Sequence, residues 1–198
     1  MGNIVESPAP RCACMLVLDT SSSMSGSSID ELNAGLAQFV DEIRRDEFIS
    51  CSIEIGIIIA GGYVTEILPI TPAHQLGAIE PLIADGDLPL GWAVNKALDR
   101  LDARMLEYKN TGIAYGLPWL VIISSEAPAD EWQTAADRAR EMALKRELIV
   151  IPVSVNGKIV ATLSTFSSQP AKTLKGLKFR EFFKWFLKRI SSVGIKEH

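Results

Sequence analysis

The sequence has few of the residues on which common classes of site depend. Only three cysteines and two histidines occur among 198 residues, and the cysteines form no CxxC pair, so neither a zinc cluster nor a disulfide-stabilised secreted fold is indicated. Phosphate-binding loops of the GxxxxGK[ST] or GxGxxG type are also absent. An odd number of cysteines in a chain of this length fits a reducing compartment, and we expect a cytoplasmic protein.

Charge and hydropathy indicate neither a nucleic-acid-binding protein nor a membrane protein. The formal net charge is −4 and the pI is near 5.3, which gives the chain no overall attraction to nucleic acid. No apolar run approaches the roughly 20 residues that a spanning helix needs, and the N-terminus lacks the basic start and apolar core of a signal peptide.

The chain is predicted to form a single domain. Its hydrophobic content of 47% suffices for one core, and no repeat or linker divides it. We assign residues 1–10 to a disordered or extended N-terminal arm, residues 11–192 to the domain and residues 193–198 to a C-terminal tail.

Two kinds of segment alternate along this domain. Short, β-branched and apolar segments predict strands buried on both faces, at residues 12–18, 52–61, 118–124 and 147–155. Amphipathic stripes predict helices that begin near Ser28, Leu90, Asp130 and Phe179. Ser28 and Glu31 are predicted to form a capping box on the first of these helices, and Asp130 is the predicted N-cap of the third. The alternating segment 63–70 follows an AGGY turn and predicts an antiparallel edge strand, whereas residues 71–75 and 164–172 are predicted surface loops. The fold class is therefore α/β, a doubly wound, mostly parallel central sheet with one antiparallel edge strand and helices on both faces.

An aspartate and a run of hydroxyl residues follow the first predicted strand directly. Asp19, Ser21 and Ser23 are two residues apart in turn, so an extended loop directs their side chains to one side. Ligands of open α/β sheets bind beyond the carboxyl ends of the strands, which is where this loop lies. Because a carboxylate and hydroxyls are hard oxygen ligands, the loop is a candidate site for Mg²⁺ or Mn²⁺.

The DTSSS loop at residues 19–23 resembles the DxSxS motif of the von Willebrand factor A domain family, whose metal-ion-dependent adhesion site begins with that motif. LDTSSSMSG, GDLPLG (86–91) and VIISSEAPAD (121–130) occur in the order of the family's three site loops. They are most similar to those of bacterial members associated with tellurium resistance and related stress operons. The resemblance covers roughly residues 10–190. The resemblance implies a protein-interaction module in a stress or tellurite-resistance system. In intact members of the family, an acidic residue of the protein partner is the remaining ligand of the metal.

The chain departs from the family pattern at two ligand positions. Leu88 stands where the family has a threonine, and Ser125 stands where it has an aspartate. Because ligand number and charge set the affinity for a divalent cation, we expect any Mg²⁺ or Mn²⁺ site to be weak.

Two alternatives remain open for this degenerate site. In the first, a nearby carboxylate replaces the missing ligands, and the candidates are Asp85, Asp87 and Glu126. In the second, which we favour, three hydroxyls hydrogen-bond one another and cap the loops without a metal: those of Ser21, Ser23 and Ser125.

Partner contacts are predicted around the same loops, at Ser25, Leu88, Trp92, Ser125 and Glu126. An alternative function is a Mg-dependent hydrolase or phosphoryl-transfer enzyme that uses Asp19. No general base accompanies Asp19 in the sequence, so we predict no catalytic residue.

The C-terminal segment is basic and aromatic, and a basic amphipathic helix can lie on an anionic membrane. Packing of its phenylalanine stripe on the sheet is favoured instead, with Trp185 off that stripe. We therefore expect neither membrane nor nucleic-acid contact.

Overall fold

A six-stranded sheet lies at the centre of the computed structural model, which describes residues 9–194. In chain order its strands are β1 Cys12–Asp19, β2 Ile53–Gly61, β3 Tyr63–Pro72, β4 Trp119–Ser124, β5 Ile149–Ser154 and β6 Lys172–Thr173. In space the order is β3-β2-β1-β4-β5-β6, with β3 antiparallel to β2 and the other neighbours parallel. The predicted sheet, mostly parallel with one antiparallel edge strand, is confirmed.

Helices cover both faces of this sheet. They are α1 Ser27–Arg45, α2 Glu47–Ser52, α3 Leu90–Thr111, α4 Gln133–Leu144, α5 Val160–Ser164 and α6 Phe179–Gly194. Helices α1 and α6 pack together on one face, whereas α3 and α4 pack on the other. No helix among residues 9–194 has the length and hydropathy needed to cross a membrane. Residues 1–8 of the predicted N-terminal arm and 195–198 of the predicted tail lie outside the described residues.

Strand β1 shows why the apolar runs do not alternate with polar residues. Leu16 and Leu18 face the α1 and α6 layer, where they join a cluster with Phe39. Met15 and Val17 face the opposite layer, formed by α3 and α4. Both sides of the strand are thus buried, and each such side chain contributes roughly 1.5–3 kcal/mol to stability.

Two predicted loops contain more structure than the sequence pattern indicates. The segment 164–172 begins at the last residue of α5 and ends in β6, and within it Phe166 is fully buried and stacks on Trp132 at 5.8 Å. The segment 71–75 ends in a turn of 3-10 helix with Ala73 buried. Predicting these segments as wholly surface loops was wrong, because single apolar residues pack there without any helical or strand period.

The carboxylate of Asp130 caps α3 instead of the helix that follows it. It accepts hydrogen bonds from the backbone N–H of Gly91 at 3.0 Å and of Trp92 at 2.8 Å, while α4 begins later, at Gln133. The prediction that Asp130 caps α4 is therefore wrong. The first-turn N–H groups of α3 need acceptors, and the loop after β4 folds back to supply them.

The first helix begins one residue before Ser28, with Gly26 in the capping position. Ser28 thus lies inside α1, and no side chain caps this N-terminus, so the predicted start is nearly correct but the predicted Ser28 and Glu31 capping box does not form.

A buried ion pair joins β2 to α3 at the end of the sheet far from Asp19. Glu54, only 4% exposed, accepts a hydrogen bond from Arg104 Nε at 2.7 Å and another from the Tyr108 hydroxyl. Burial and the charge of Glu54 raise the pKa of Tyr108, so its phenol remains a donor. Burial lowers the pKa of Arg104, but the hydrogen bonds to Glu54 and Glu107 outweigh it, and the net shift is upward.

Candidate functional site

The carboxylate of Asp19 lies fully buried at the end of β1 and accepts four hydrogen bonds. Its Oδ1 accepts from the backbone N–H and the hydroxyl of Ser21, at 2.8 and 2.6 Å. Its Oδ2 accepts from the backbone N–H and the hydroxyl of Ser125, at 2.7 and 2.6 Å. The first and third site loops of the sequence are thereby joined through one side chain.

Ser23 closes this arrangement into a ring. Its hydroxyl lies 2.9 Å from that of Ser21 and 2.5 Å from that of Ser125. We call these four residues the Asp19 ring. The predicted hydrogen bonds among the three serine hydroxyls are present, and Ser23 links the other two.

The Asp19 ring contains more oxygen–oxygen contacts than hydroxyl hydrogens. Four contacts join its side-chain oxygens, two of them to the carboxylate and two at Ser23. Each serine has a single hydroxyl hydrogen, and those of Ser21 and Ser125 are directed at Asp19. Ser23 can therefore donate to only one neighbour, so the second contact at the exposed Ser23 lacks a hydrogen of its own.

Backbone hydrogen bonds fasten the surrounding loops to one another. We define the strand-end loops as residues 20–26, 85–89 and 125–132. The N–H of Ser22 donates to the Gly86 carbonyl at 2.8 Å, and the N–H of Asp85 donates to the Thr20 carbonyl at 2.8 Å. Gly86 has a φ of 69°, and a Cβ there would lie 2.4 Å from Gly62 Cα, so only glycine fits. The loops form a fixed surface at this end of the sheet.

The predicted partner-binding residues differ in accessibility. Trp92 is 66% exposed and Ser25 is exposed, whereas Glu126 is half-buried and Ser125 is buried in the Asp19 ring. Leu88 is fully buried against the α3 layer, so the prediction that it contacts a partner is corrected: its side chain belongs to the core.

Two residues of the site were missed by the sequence analysis. Asn156, after β5, donates from its side-chain amide to the Ser125 carbonyl at 2.9 Å and so holds the third loop. Asp130 ties that same loop to α3. Asn156 belongs to none of the three site motifs, whereas Asp130 ends the third one and was predicted only as the start of the following helix, so its contact with α3 was missed.

The fold matches several solved structures along almost the whole chain, although no family model and no curated protein matches it. Proximal thread matrix protein 1 from the mussel byssus aligns over 93% of this chain and 47% of its own, with 11% identity and a TM-score of 0.60. A further structure of that protein has a zinc-occupied MIDAS motif. The ArnB paralog VWA2 from Sulfolobus acidocaldarius aligns over 97% of this chain and 46% of its own, with 12% identity and a TM-score of 0.58.

A third match is an aerotolerance-related membrane protein from Bacteroides fragilis, with coverage of 91% and 99%, 16% identity and a TM-score of 0.61. Compared with the mussel and Sulfolobus proteins, this chain spans only about half of their length. This chain has the von Willebrand A fold. At such identities the likeness concerns the fold alone.

The residues of this von Willebrand A fold do not suit a strong divalent-cation site. Both oxygens of Asp19 already accept two hydrogen bonds each, which occupies the carboxylate. Leu88 brings no oxygen, and Asp85 and Asp87 are exposed, without a hydrogen bond to the Asp19 ring. Among residues 9–194, no three or more His, Cys, Asp or Glu side chains gather as they would around a metal. Mg²⁺ and Mn²⁺ prefer several oxygen ligands with carboxylates among them.

Proposed function

We propose that this von Willebrand A domain binds a protein partner through its strand-end loops and does so without a divalent cation. The observation that carries the proposal is the Asp19 ring, in which serine hydroxyls and backbone N–H groups surround the carboxylate. The hydrogen bonds of the ring join two loops, and exposed side chains, Ser23, Ser25 and Trp92, lie in or next to those loops. Matched structures of the same fold support an interaction module in general terms.

The proposed partner presents hydrogen-bond donors to these loops. The exposed Ser23 hydroxyl has one hydrogen and two acceptor lone pairs, so its oxygen can accept a hydrogen bond from an N–H group of the partner. Asp85 and Asp87 are exposed in the second loop, which is hydrogen-bonded to the first loop at Thr20 and Gly86. Their negative charge favours a basic or amide group on the partner over a carboxylate. An acidic residue on the partner, as the family resemblance implies, would need a cation between it and Asp19.

Trp92 gives the sharpest test of this binding surface. Trp92→Ala is expected to lower the recovery of the partner in quantitative affinity purification by about thirtyfold, because aromatic anchors carry roughly 2 kcal/mol or more. Ser25→Arg is expected to lower the recovery as well, because a large cation on the loop surface repels a basic partner. The matched control is Phe48→Ala: Phe48 is 62% exposed and lies in α2 directly before β2, at the other end of the sheet. Equal losses for Trp92 and Phe48 variants, or no loss for either, would contradict the proposal.

Calorimetric titration with Mg²⁺ and Mn²⁺ tests the independence from a cation. The wild-type domain is expected to give no saturable heat at millimolar metal, whereas Ser125→Asp is expected to bind, because it places a second carboxylate beside that of Asp19. Asp19→Ala serves as the control in both backgrounds. Saturable wild-type binding that Asp19→Ala abolishes would show that Asp85, Asp87 or Glu126 supplies the missing ligand, and the acidic-partner alternative would then hold.

No observation favours the alternative of a hydrolase or phosphoryl-transfer enzyme, since Asp19 is fully buried and its oxygens are engaged by Ser21 and Ser125. We further propose, from the three loop sequences alone, that the protein acts in the bacterial cytoplasm in a stress or tellurite-resistance system.

A further inference from the structure

A groove lies beside the outer edge of β5, on the face of the sheet that carries α6. Its volume is about 590 Å³, within the roughly 300–1,000 Å³ typical of small-molecule sites. Apolar side chains of β4 and β5 and a tryptophan of α6 line it, and two cationic side chains stand among them. The residues that matter here are Trp119, Ile149, Ile151, Lys172, Trp185 and Arg189. We call it the β5 groove.

The groove exists because the edge strand is short. Strand β6 has two residues, which pair only with Val153 and Ser154. On the side away from β4, residues 149–152 of β5 therefore have no neighbouring strand among residues 9–194. Addition of a peptide strand there is disfavoured, because Pro152 has no N–H to donate and the hydroxyl of Ser167 already donates to the Val150 carbonyl at 3.3 Å. A compact ligand suits the space better than an extended chain.

The indole N–H of Trp119 has no hydrogen-bond partner among residues 9–194, although its nitrogen is buried. Trp119 is 1% exposed, and it lines the β5 groove. A buried Trp N–H normally finds an acceptor, and leaving one unpaired costs about 1–3 kcal/mol. This side chain therefore indicates an acceptor that residues 9–194 do not provide.

The charged residues of the groove are both basic. Lys172 places its ammonium 4.6 Å from the ring centroid of Trp185, and Arg189 follows one helical turn after Trp185. Neither Lys172 nor Arg189 forms a salt bridge within residues 9–194. Two cationic side chains next to the apolar surface of the groove attract an anion that also carries an apolar group.

We propose that the β5 groove binds a small amphipathic anion, such as a carboxylate, sulfonate or phosphate with an aromatic or aliphatic body. The body packs on Trp119, Ile149 and Ile151, with Trp185 at its side, and the anionic group lies between Lys172 and Arg189. An oxygen of the ligand accepts the Trp119 N–H. This site is independent of the strand-end loops.

A fluorescence titration with anilinonaphthalene sulfonate tests the proposal, with the neutral phenylnaphthylamine as the uncharged probe and dodecanoate as a competitor. We expect saturable binding of one sulfonate per chain. Lys172→Ala combined with Arg189→Ala is expected to weaken sulfonate binding by at least about tenfold, because two charge-assisted contacts are lost. The affinity for the neutral probe should change by less than about twofold, since that probe makes no charged contact.

Trp92→Ala is the matched control, because Trp92 is an exposed tryptophan at the strand-end loops and its removal should leave both probes unaffected. The indole N–H resonance of Trp119 should shift on binding in an NMR titration of the wild type. Thermal melting of each variant separates loss of binding from loss of fold. Sulfonate binding that does not saturate, that survives loss of both cations, or that leaves the Trp119 resonance in place would overturn the proposal.

Discussion

Asp19→Ala is expected to destabilise the domain by about 3 kcal/mol, because two buried backbone N–H groups, those of Ser21 and Ser125, lose their acceptor at roughly 1–3 kcal/mol each. Removing a buried carboxylate also removes its desolvation cost, which offsets part of that loss. The Ser21 and Ser125 hydroxyls can turn toward Ser23, but the backbone donors have no such freedom. The measurement is the free energy of unfolding from urea denaturation, made in the presence of a chelator.

Two variants isolate the contribution of the buried carboxylate. Asp19→Asn keeps the shape and one acceptor oxygen, so it is expected to cost less than Asp19→Ala. Asp46→Ala removes an exposed carboxylate that caps α2 by accepting from the N–H of Phe48 and Ile49, and it should cost about 1 kcal/mol. If Asp19→Ala were as stable as the wild type, the Asp19 ring would not be what fastens the loops.

The elements predicted well from the sequence are those with long, unambiguous patterns. Strands β1 and β4 are continuous apolar runs because helices cover both of their faces, and the stripes of α1, α3 and α6 extend over several turns. Helices α2 and α5 and strand β6 have two to six residues, which is too few to establish a period. Their positions depend on packing between segments distant in the chain, as with Phe166 against Trp132.

The residues of the Asp19 ring were predictable from the sequence, whereas the contacts that hold the third loop were not. The loop sequences place Asp19, Ser21, Ser23 and Ser125 together, and the structure does bring them into contact. The direction of the Asp130 carboxylate toward α3 could not be predicted, because a capping residue serves whichever helix N-terminus lies nearest in space. The burial of Leu88 likewise depends on where α3 packs.

Glu54 is a charged residue inside a strand that otherwise reads as wholly apolar. The sequence pattern alone does not show what compensates it, since Arg104 and Tyr108 lie 50 and 54 residues further along the chain. A buried carboxylate is tolerated only when donors surround it. Here α3 supplies both donors from positions one helical turn apart, which also fixes how α3 lies on β2.

Glu54→Ala is expected to destabilise the domain by about 3 kcal/mol, because removing the buried member of an ion pair leaves the partly buried Arg104 with one carboxylate instead of two. Arg104 retains Glu107 at 2.7 Å, which holds the loss near the lower end of the range for buried pairs. The Tyr108 hydroxyl, in contrast, loses its acceptor altogether. The free energy of unfolding in urea measures the effect.

The matched control is Glu66→Ala, which removes an equivalent pair at the surface. Glu66 lies on β3 and pairs with Arg100 of α3 at 2.8 Å, but the Arg100 side chain is 50% exposed. Water can solvate Arg100 once Glu66 is gone, so this variant should cost less than about 1 kcal/mol. Glu54→Leu combined with Arg104→Leu should recover part of the stability that Glu54→Leu alone loses, since the second change removes the unpaired cation. Equal costs for the Glu54 and Glu66 variants, without recovery in the double variant, would mean that water reaches Arg104 freely and that the pair contributes no more than a surface contact.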